Sequence, residues 1–186
     1  NHNLNPRLFS EQLIYIINHA NDKILIIDLD LVPIIDKIIL DCPNIEKLVI
    51  LCSKADLPST KFSEVISYEE LLSMGSENFE WIKGEETDAC GICYTSGTTG
   101  NPKGVVYTHR SNTLHALTQA APDMLNLSST DTIMPVVPLF HANGWSIAYT
   151  APLVGSSIVF PGGDLSPSSL YDMLERGVTI LSLIHI

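Results

Sequence analysis

Hydroxyls, glycines and one lysine are concentrated between Tyr94 and Gly104, where an apolar stretch of the chain stops. Glycines let the backbone adopt positive φ and approach a ligand closely, and short hydroxyls add donors to the exposed amides. Lys103 adds a mobile positive charge that suits phosphate oxygens. The stretch therefore predicts a loop that cradles a triphosphate. The glycines and hydroxyls expected to line this loop are Ser96, Gly97, Thr98, Thr99 and Gly100.

This loop differs from the Gly-x4-Gly-Lys-Ser/Thr phosphate loop, which runs directly into a helix. Pro102 precedes the lysine, Gly104 follows it, and residues 105–108 are β-branched or aromatic, which favours a strand. We therefore expect a strand, a loop and a second strand. A polar hairpin or linker without a ligand is the alternative, although a linker does not need this ordered combination of residues.

A second group of candidate functional residues follows the apolar run from Ile133 to Val137. Pro138 should end that strand, and His141 and Trp145 lie in the turn behind it. Ligands of parallel α/β sheets bind beyond the carboxyl ends of the strands, so we expect this turn and the phosphate loop at one sheet edge. The alternatives are a histidine that caps a helix and a tryptophan that only packs.

Helical and strand patterns alternate along the chain, which predicts an α/β fold of layered βα units with a largely parallel sheet. Helix starts are indicated by capping residues, and strands by short apolar runs. The elements expected are a helix capped by Ser10, strands at 24–27 and 47–51 around a helix at 30–40, a short helix capped by Ser67, a helix from about Ser111, strands at 132–137 and 156–160, and a helix capped by Ser166.

The chain of 186 residues is 45% hydrophobic and carries a net charge of -11, as expected of a soluble globular chain. This acidity argues against nucleic acid or an anionic membrane as a partner, because both favour a basic surface. No run approaches the roughly 20 apolar residues of a membrane span, and no signal peptide is visible. We therefore expect a cytoplasmic or organelle-matrix location. Much of the acid lies between Glu69 and Asp88, which predicts a solvated, mobile connection.

The C-x-x-C spacing of Cys90 and Cys93 is also found in zinc and redox sites. No second cysteine pair or histidine pair supplies the remaining tetrahedral ligands, and an odd spacing places the two residues on opposite faces of a strand. All four cysteines are therefore expected to be reduced, buried and apolar in role.

The segment from Tyr94 to Arg110, with Gly-Val-Val-Tyr-Thr-His-Arg after the lysine, resembles the phosphate-binding signature of the acyl-adenylate-forming (AMP-binding) superfamily. Acyl-CoA synthetases, luciferases and peptide-synthetase adenylation domains share this signature. Two further segments resemble medium- and long-chain fatty acyl-CoA synthetases. The first consists of residues 5–8, Asn-Pro-Arg-Leu, together with residues 15–20, and the second consists of residues 138–145. The resemblance runs from about the first residues to Thr179.

The resemblance implies an AMP-forming acid–thiol ligase. A fatty acid carboxylate would attack the α-phosphate of Mg-ATP to give an acyl-adenylate and pyrophosphate, and the thiol of coenzyme A would then displace AMP. Because the first step joins two anions, the protein must position and neutralise charge. The alternatives are a ligase for an aryl or short-chain acid, and a non-catalytic nucleotide-binding module.

The resemblance also implies roles for single residues. Residues 96–100 and Lys103 would contact the β- and γ-phosphates, and Thr95 would be a ligand near Mg²⁺, with a packed strand residue as the alternative. Lys103 and His141 are the candidate catalytic residues. His141 and Trp145 would contact the acyl substrate, Trp145 as a gate to the fatty acid tunnel. His109 and Arg110 are left outside the site, because they are as well suited to capping a helix or pairing with acidic groups as to contacting the nucleotide.

Residues 1–186 would form part of the large N-terminal domain of such an enzyme, truncated at both ends and lacking the small C-terminal domain. The chain alone would then not complete the reaction. Residues 181–186 fit either a strand or foreign read-through. Related synthetases are often dimeric, so a homodimer is one expectation for the full-length protein.

Overall fold

A computed structural model describes residues 1–95 and 100–182. These residues form two compact units. The first unit contains Asn1–Asn3, Gly84–Thr95 and 104–182, and the second contains Leu4–Lys83 and 100–103. Each unit has its own hydrophobic cluster of buried residues.

The second unit is built on a three-stranded parallel sheet in the order β1-β2-β3. Its register pairs Ile24 with Lys47 and Val49 with Ile66. The elements in chain order are α1 Ser10–Ala20, β1 Ile24–Asp28, α2 Val32–Ile38, β2 Lys47–Leu51, β3 Val65–Ser67 and α3 Tyr68–Ser73. Strands parallel to each other need crossover connections, and α1 and α2 supply helices that pack on the sheet.

Buried and exposed side chains alternate along β1, which shows which face of this sheet lies against the core. Leu25 and Ile27 are buried, while Ile24 and Ile26 are each 58% exposed, as the period of two along a strand requires. The buried face meets Leu13 and Ile17 of α1 and Ile35 of α2 in one cluster. The isoleucine-rich start of the chain is therefore a helix-covered sheet.

The first unit contains a second three-stranded parallel sheet, in the order β7-β6-β8. Ile133 of its central strand pairs with Ile158 on one side and Ile180 on the other. The cluster around it consists of Leu127, Ile133, Ile147 and Ala151. The elements in chain order are β4 Ala89–Thr95, β5 Lys103–Thr108, α4 His109–Ala120, β6 Thr132–Pro135, α5 Ile147–Val154, β7 Ser157–Ile158, α6 Pro167–Glu175 and β8 Ile180–Ser182. The first residue of β5, Lys103, is counted with the second unit.

The mixed α/β fold with parallel sheets is confirmed, but the phosphate loop does not follow a strand of a parallel sheet. It connects β4 to β5, which form a separate two-stranded sheet. The expectation that the loop shares a parallel-sheet edge with the turn at His141 was therefore wrong. The reason is the length of residues 96–102, because a parallel pairing needs a crossover of about a dozen residues or more.

Helix starts were predicted with mixed success. Ser67 caps α3 by accepting from the amide of Glu70 (3.2 Å), and Ser166 caps α6 by accepting from that of Ser169 (3.4 Å). Ser10 does not cap α1, because the helix begins at Ser10 itself and Phe9 is the N-cap. Here the Gln12 side chain accepts from the amide of the N-cap residue Phe9 at 3.3 Å, and no serine side chain caps the first turn.

Other boundaries are shorter than the sequence pattern suggested. The helix expected over 30–40 is an α-helix only at Val32–Ile38, with 3-10 turns at Leu29–Leu31 and Ile39–Asp41. The strands expected at 132–137 and 156–160 are shortened to β6 and β7. Of the expected tail 181–186, the structure places residues 181 and 182 in β8, and 183–186 lie outside the described residues.

The acidic connection is exposed throughout residues 71–89, which confirms that it is solvated. Its apolar side chains are exposed as well, and Phe79 contacts Trp81 edge to face at 5.1 Å between ring centroids. Among the described residues, no helix combines the length and hydropathy needed to cross a bilayer.

Close packing between β4 and β5 makes Gly104 a specific requirement. A Cβ at this position would lie 3.0 Å from Cγ2 of Ile92 and 3.1 Å from Cζ of Tyr94. We expect Gly104→Ala to lower the free energy of unfolding by about 1–3 kcal/mol, because the two side chains must be displaced. Thermal unfolding of the full-length protein measures this.

Gly163→Ala is the matched control, because a Cβ there meets no atom within 4 Å. Its melting temperature should stay close to that of the parent. Equal losses in the two variants would show that the contact between the strands does not set the cost.

Candidate active site

The strands β4 and β5 form a hairpin, whose cross-strand contacts run in opposite order along its two limbs. The amide of His109 donates to the Asp88 carbonyl at 3.2 Å, the Cys90 thiol donates to the Tyr107 carbonyl at 3.5 Å, and Gly104 faces Ile92. As residue numbers rise on one limb, they fall on the other. The contacts therefore indicate antiparallel strands, with the predicted phosphate loop as their connection.

The structure places both ends of the predicted phosphate loop. Thr95 is the exposed last residue of β4, and Lys103 is the exposed first residue of β5. Gly100 has a φ of 131°, which confirms the conformational freedom expected of it. The predicted contact residues Ser96, Gly97, Thr98 and Thr99 lie outside the described residues.

Within the first unit, β4 lies beside the turn that carries His141. The Cys93 thiol approaches the Phe140 carbonyl at 4.0 Å, and Asn3 Nδ2 donates to the Leu139 carbonyl at 3.2 Å. The amide of His141 donates to the Pro138 carbonyl at 2.9 Å. The structure thus brings the strand that ends at Thr95 next to the backbone just before His141, whose side chain is exposed.

The residues behind His141 have an unusual backbone. Gly144, Trp145 and Ser146 have φ values of 59°, 57° and 62°, in the left-handed region that costs about 1–2 kcal/mol per non-glycine residue. A Cβ on Gly144 would lie 2.6 Å from Cδ2 of Leu139. The conformation therefore favours glycine at this position, and any larger residue would also have to displace the Leu139 side chain.

Trp145 is held in this conformation by packing. It is half-buried and lies against the first unit's hydrophobic cluster around Ile133 and Ile147. The carbonyl of Ser146 accepts from the Thr150 hydroxyl at 3.1 Å. The packing alternative for Trp145 is thus realised in part, and its predicted role as a gate stays a prediction.

Sequence reasoning missed several residues that support this region. Asn3 and Cys93 hold carbonyls of the His141 turn, and Gly104 allows the close approach of the two strands. The Asn143-Gly144 pair was the available signal for the left-handed turn, because Asn-Gly pairs mark such turns. The contacts of Asn3 carry no local sequence signal, since they join residues far apart in the chain.

Cys90 and Cys93 have different partners, which confirms their predicted placement on opposite faces of β4. The Cys90 thiol contacts the Tyr107 carbonyl and accepts from Asn112 Nδ2 at 3.1 Å, whereas Cys93 lies by Phe140. All four cysteines are free, and Cys52 and Cys90 are only half-buried. Burial, assisted by Asp41 and Asp22, raises the pKa of the Cys42 thiol to about 11.

Among the residues that the structure describes, no group of three or more His, Cys, Asp or Glu side chains could hold a metal ion.

Asp131, which directly precedes β6, is held by three hydrogen bonds. Its carboxylate accepts from the hydroxyl and the amide of Ser128 and from the hydroxyl of Thr179, and these bonds lower the pKa of Asp131. Its carboxylate thus joins the start of β6 to the chain before β8.

Comparison with known proteins gives relatives over nearly the whole chain. A medium-chain-fatty-acid–CoA ligase from Ectopseudomonas oleovorans is 46% identical over 180 residues, which are 96% of this chain and 33% of that protein. A 3-methylmercaptopropionyl-CoA ligase from Ruegeria pomeroyi is 41% identical over 94% of this chain and 32% of its own length. The chain thus spans about a third of the length of these relatives.

A natural red-emitting luciferase from Phrixothrix hirtus shares the fold, with a TM-score of 0.81 and 19% identity over 98% of this chain and 44% of the luciferase. The family model described as "AMP-binding enzyme" matches residues 1–184. Together with the relatives, this match shows that the chain belongs to the AMP-binding enzyme family.

Proposed function

We propose that the full-length protein containing this chain is an acyl-CoA ligase that activates a fatty acid with ATP and transfers the acyl group to coenzyme A. The observation that carries the proposal is the 46% identity to a relative named as a medium-chain-fatty-acid–CoA ligase. That identity covers 96% of the chain, so it includes the loop between Thr95 and Lys103 and the turn at His141.

The hairpin geometry supports a role in binding phosphate. Thr95 and Lys103 stand at the two ends of the loop, both exposed, and Gly100 has the positive φ that lets backbone amides turn toward an anion. In the proposal, residues 96–100 and Lys103 bind the β- and γ-phosphates. Lys103 stabilises the negative charge that grows on the departing pyrophosphate.

The proposal includes Mg²⁺, with Thr95 as the residue of this chain that would hold it. An exposed hydroxyl at the end of a strand fits this ion, because Mg²⁺ prefers oxygen ligands and keeps several waters beside substrate phosphates. When bound, the ion would neutralise phosphate charge. Thr95 would then orient the phosphates relative to the backbone amides of the loop.

The acyl substrate is proposed to lie by the turn after β6. His141 is exposed there and could contact the carboxylate or the adenylate, while Trp145 connects this turn to the hydrophobic cluster. A tryptophan held in a left-handed conformation by packing has a defined position, which suits a residue that limits the space for an acyl chain.

A second candidate is a ligase for a different carboxylic acid. It is favoured by the relative named as a 3-methylmercaptopropionyl-CoA ligase, which is 41% identical to this chain. A non-catalytic nucleotide-binding module is the alternative of another class.

The proposal also covers assembly, location and domain. We propose that the full-length protein forms a homodimer and lies in the cytoplasm or an organelle matrix. Residues 1–186 would form part of its large N-terminal domain.

Replacement of Lys103 tests the proposed catalytic role. In the full-length protein, Lys103→Ala should slow acid-dependent ATP–pyrophosphate exchange by about a hundredfold, because it removes charge stabilisation from the departing pyrophosphate. Transfer of a preformed acyl-adenylate to coenzyme A should change little. Lys83→Ala, at an exposed lysine of the acidic connection, is the control and should leave both steps unchanged. A loss confined to the transfer step would contradict the assignment.

Replacement of Trp145 tests its role in acyl selectivity. Trp145→Ala and the more conservative Trp145→Phe should shift the ranking of kcat/KM across fatty acids of increasing length, while KM for ATP changes less than about twofold. The chain has a second tryptophan, Trp81, which is 86% exposed. Trp81→Ala is therefore a matched control. An unchanged ranking in folded Trp145 variants would remove this residue from the acyl site.

A further inference from the structure

We propose that Glu86 and Arg110 form a positioning pair that closes the base of the β4–β5 hairpin and thereby fixes how β4 and β5, the two strands on either side of the proposed ATP-binding loop, lie against each other. This inference rests on the proposed function, because it assigns an effect on ATP binding. Neither residue touches the nucleotide in the proposal. They act through the two limbs of the hairpin.

Arg110 and Glu86 are joined twice. Arg110 Nη2 donates to Glu86 Oε1, and the backbone amide of Arg110 donates to the Glu86 carbonyl at 2.7 Å. One contact joins side chains and the other joins main chains, so the pair fixes both the distance and the direction between the limbs. The charge-assisted bond lowers the pKa of the Glu86 carboxyl, which keeps it an ionised acceptor.

Neighbouring contacts extend the closure toward the loop. The amide of His109 donates to the Asp88 carbonyl at 3.2 Å, and the Asp88 carboxylate accepts from the Glu85 amide at 2.9 Å. The first bond ties the chain entering β4 to the first turn of α4, which Thr108 caps by accepting from the Ser111 amide at 3.1 Å. The second bond holds the turn before β4 in shape. The ion pair is thus the outermost of a series of contacts that leads along the hairpin.

Two apolar side chains of the second limb add little to holding it in place. A two-stranded hairpin is marginally stable by itself, and β5 exposes Val105 and Val106, at 45% and 57%. The apolar side chains of this strand therefore contribute little burial at these two positions. Contacts at the ends of the limbs must supply more of the register than they would in a wider sheet.

Arg110 places a positive charge beside an acidic segment of the chain. Glu85, Glu86 and Asp88 lie close together in the acidic connection before β4, and Arg110 supplies the opposite charge to Glu86. An exposed ion pair contributes little to global stability. We therefore expect its loss to change the position of β5 relative to β4, and with it KM for ATP, more than the melting temperature.

The test uses charge reversal and charge exchange in the full-length protein. Arg110→Glu and Glu86→Arg should each raise KM for ATP in pyrophosphate exchange by about three- to tenfold, because each places like charges at the base of the hairpin. The double variant, with the two charges exchanged, should return KM to within about twofold of the parent. The KM for the acid should move less than that for ATP in all three.

The matched control is the pair Lys47–Glu64, which has similar exposure (41% and 61%, against 52% and 63% for Arg110 and Glu86) but joins β2 to the residue before β3. Its charge reversals should leave KM for ATP unchanged. Equal effects at both pairs, or single variants without rescue by the exchange, would overturn the positioning role. If the parent binds ATP but shows no acid-dependent exchange, the proposed function fails. The positioning role is then tested separately, by measuring the dissociation constant for ATP in the same variants.

Discussion

The short connection between β4 and β5 is the constraint on which the candidate site depends. Residues 96–102 are too few to cross over a sheet, so the two strands can pair only by reversing direction. This reversal places the end of one strand beside the start of the other, with one short loop between them. Thr95 and Lys103 are thereby fixed as the loop's boundaries, and Gly104 is required where the limbs approach each other.

Contacts within the first unit connect β4 of this hairpin to the turn before His141. β4 contacts the hairpin's second limb through Cys90 and the turn before His141 through Cys93. One strand of the first unit therefore contacts both the limb that follows the predicted phosphate loop and the turn of the proposed acyl site. Trp145 and Ser146 store unfavourable backbone conformation in that turn, and the cluster around Ile133 compensates by packing.

Much of the secondary structure could be predicted from the sequence, because β2, α3 and α6 have strong local signals. The strand at 47–51 contains the uninterrupted apolar run 48–51, and Ser67 and Ser166 are capping residues with free acceptors for helix amides. Ser10 misled because the helix already begins at Ser10, so that Phe9 is the N-cap and its amide bonds the Gln12 side chain. The exact first residue of a helix depends on such local geometry, and composition alone does not reveal it.

The site was predictable only where its chemistry is local. The loop from Thr95 to Lys103 concentrates hydroxyls, glycines and a lysine within a few residues, and the family resemblance assigns their roles. The sheet arrangement was not predictable in the same way, because strand pairing is a long-range property. Asn3 beside Leu139 and Glu86 beside Arg110 are likewise contacts between distant positions, so neither has a local pattern. The left-handed backbone at Trp145 depends on tertiary packing that overrides the local preference.

The central claim is that the loop between β4 and β5 serves acyl-adenylate formation. Acid-dependent ATP–pyrophosphate exchange by the full-length protein tests it most directly, with fatty acids from short to long and an aryl acid for comparison. The account predicts exchange that requires an acid and is strongest within one range of fatty acid lengths. Measurable ATP binding without exchange, whichever acid is added, would contradict it and favour a nucleotide-binding module.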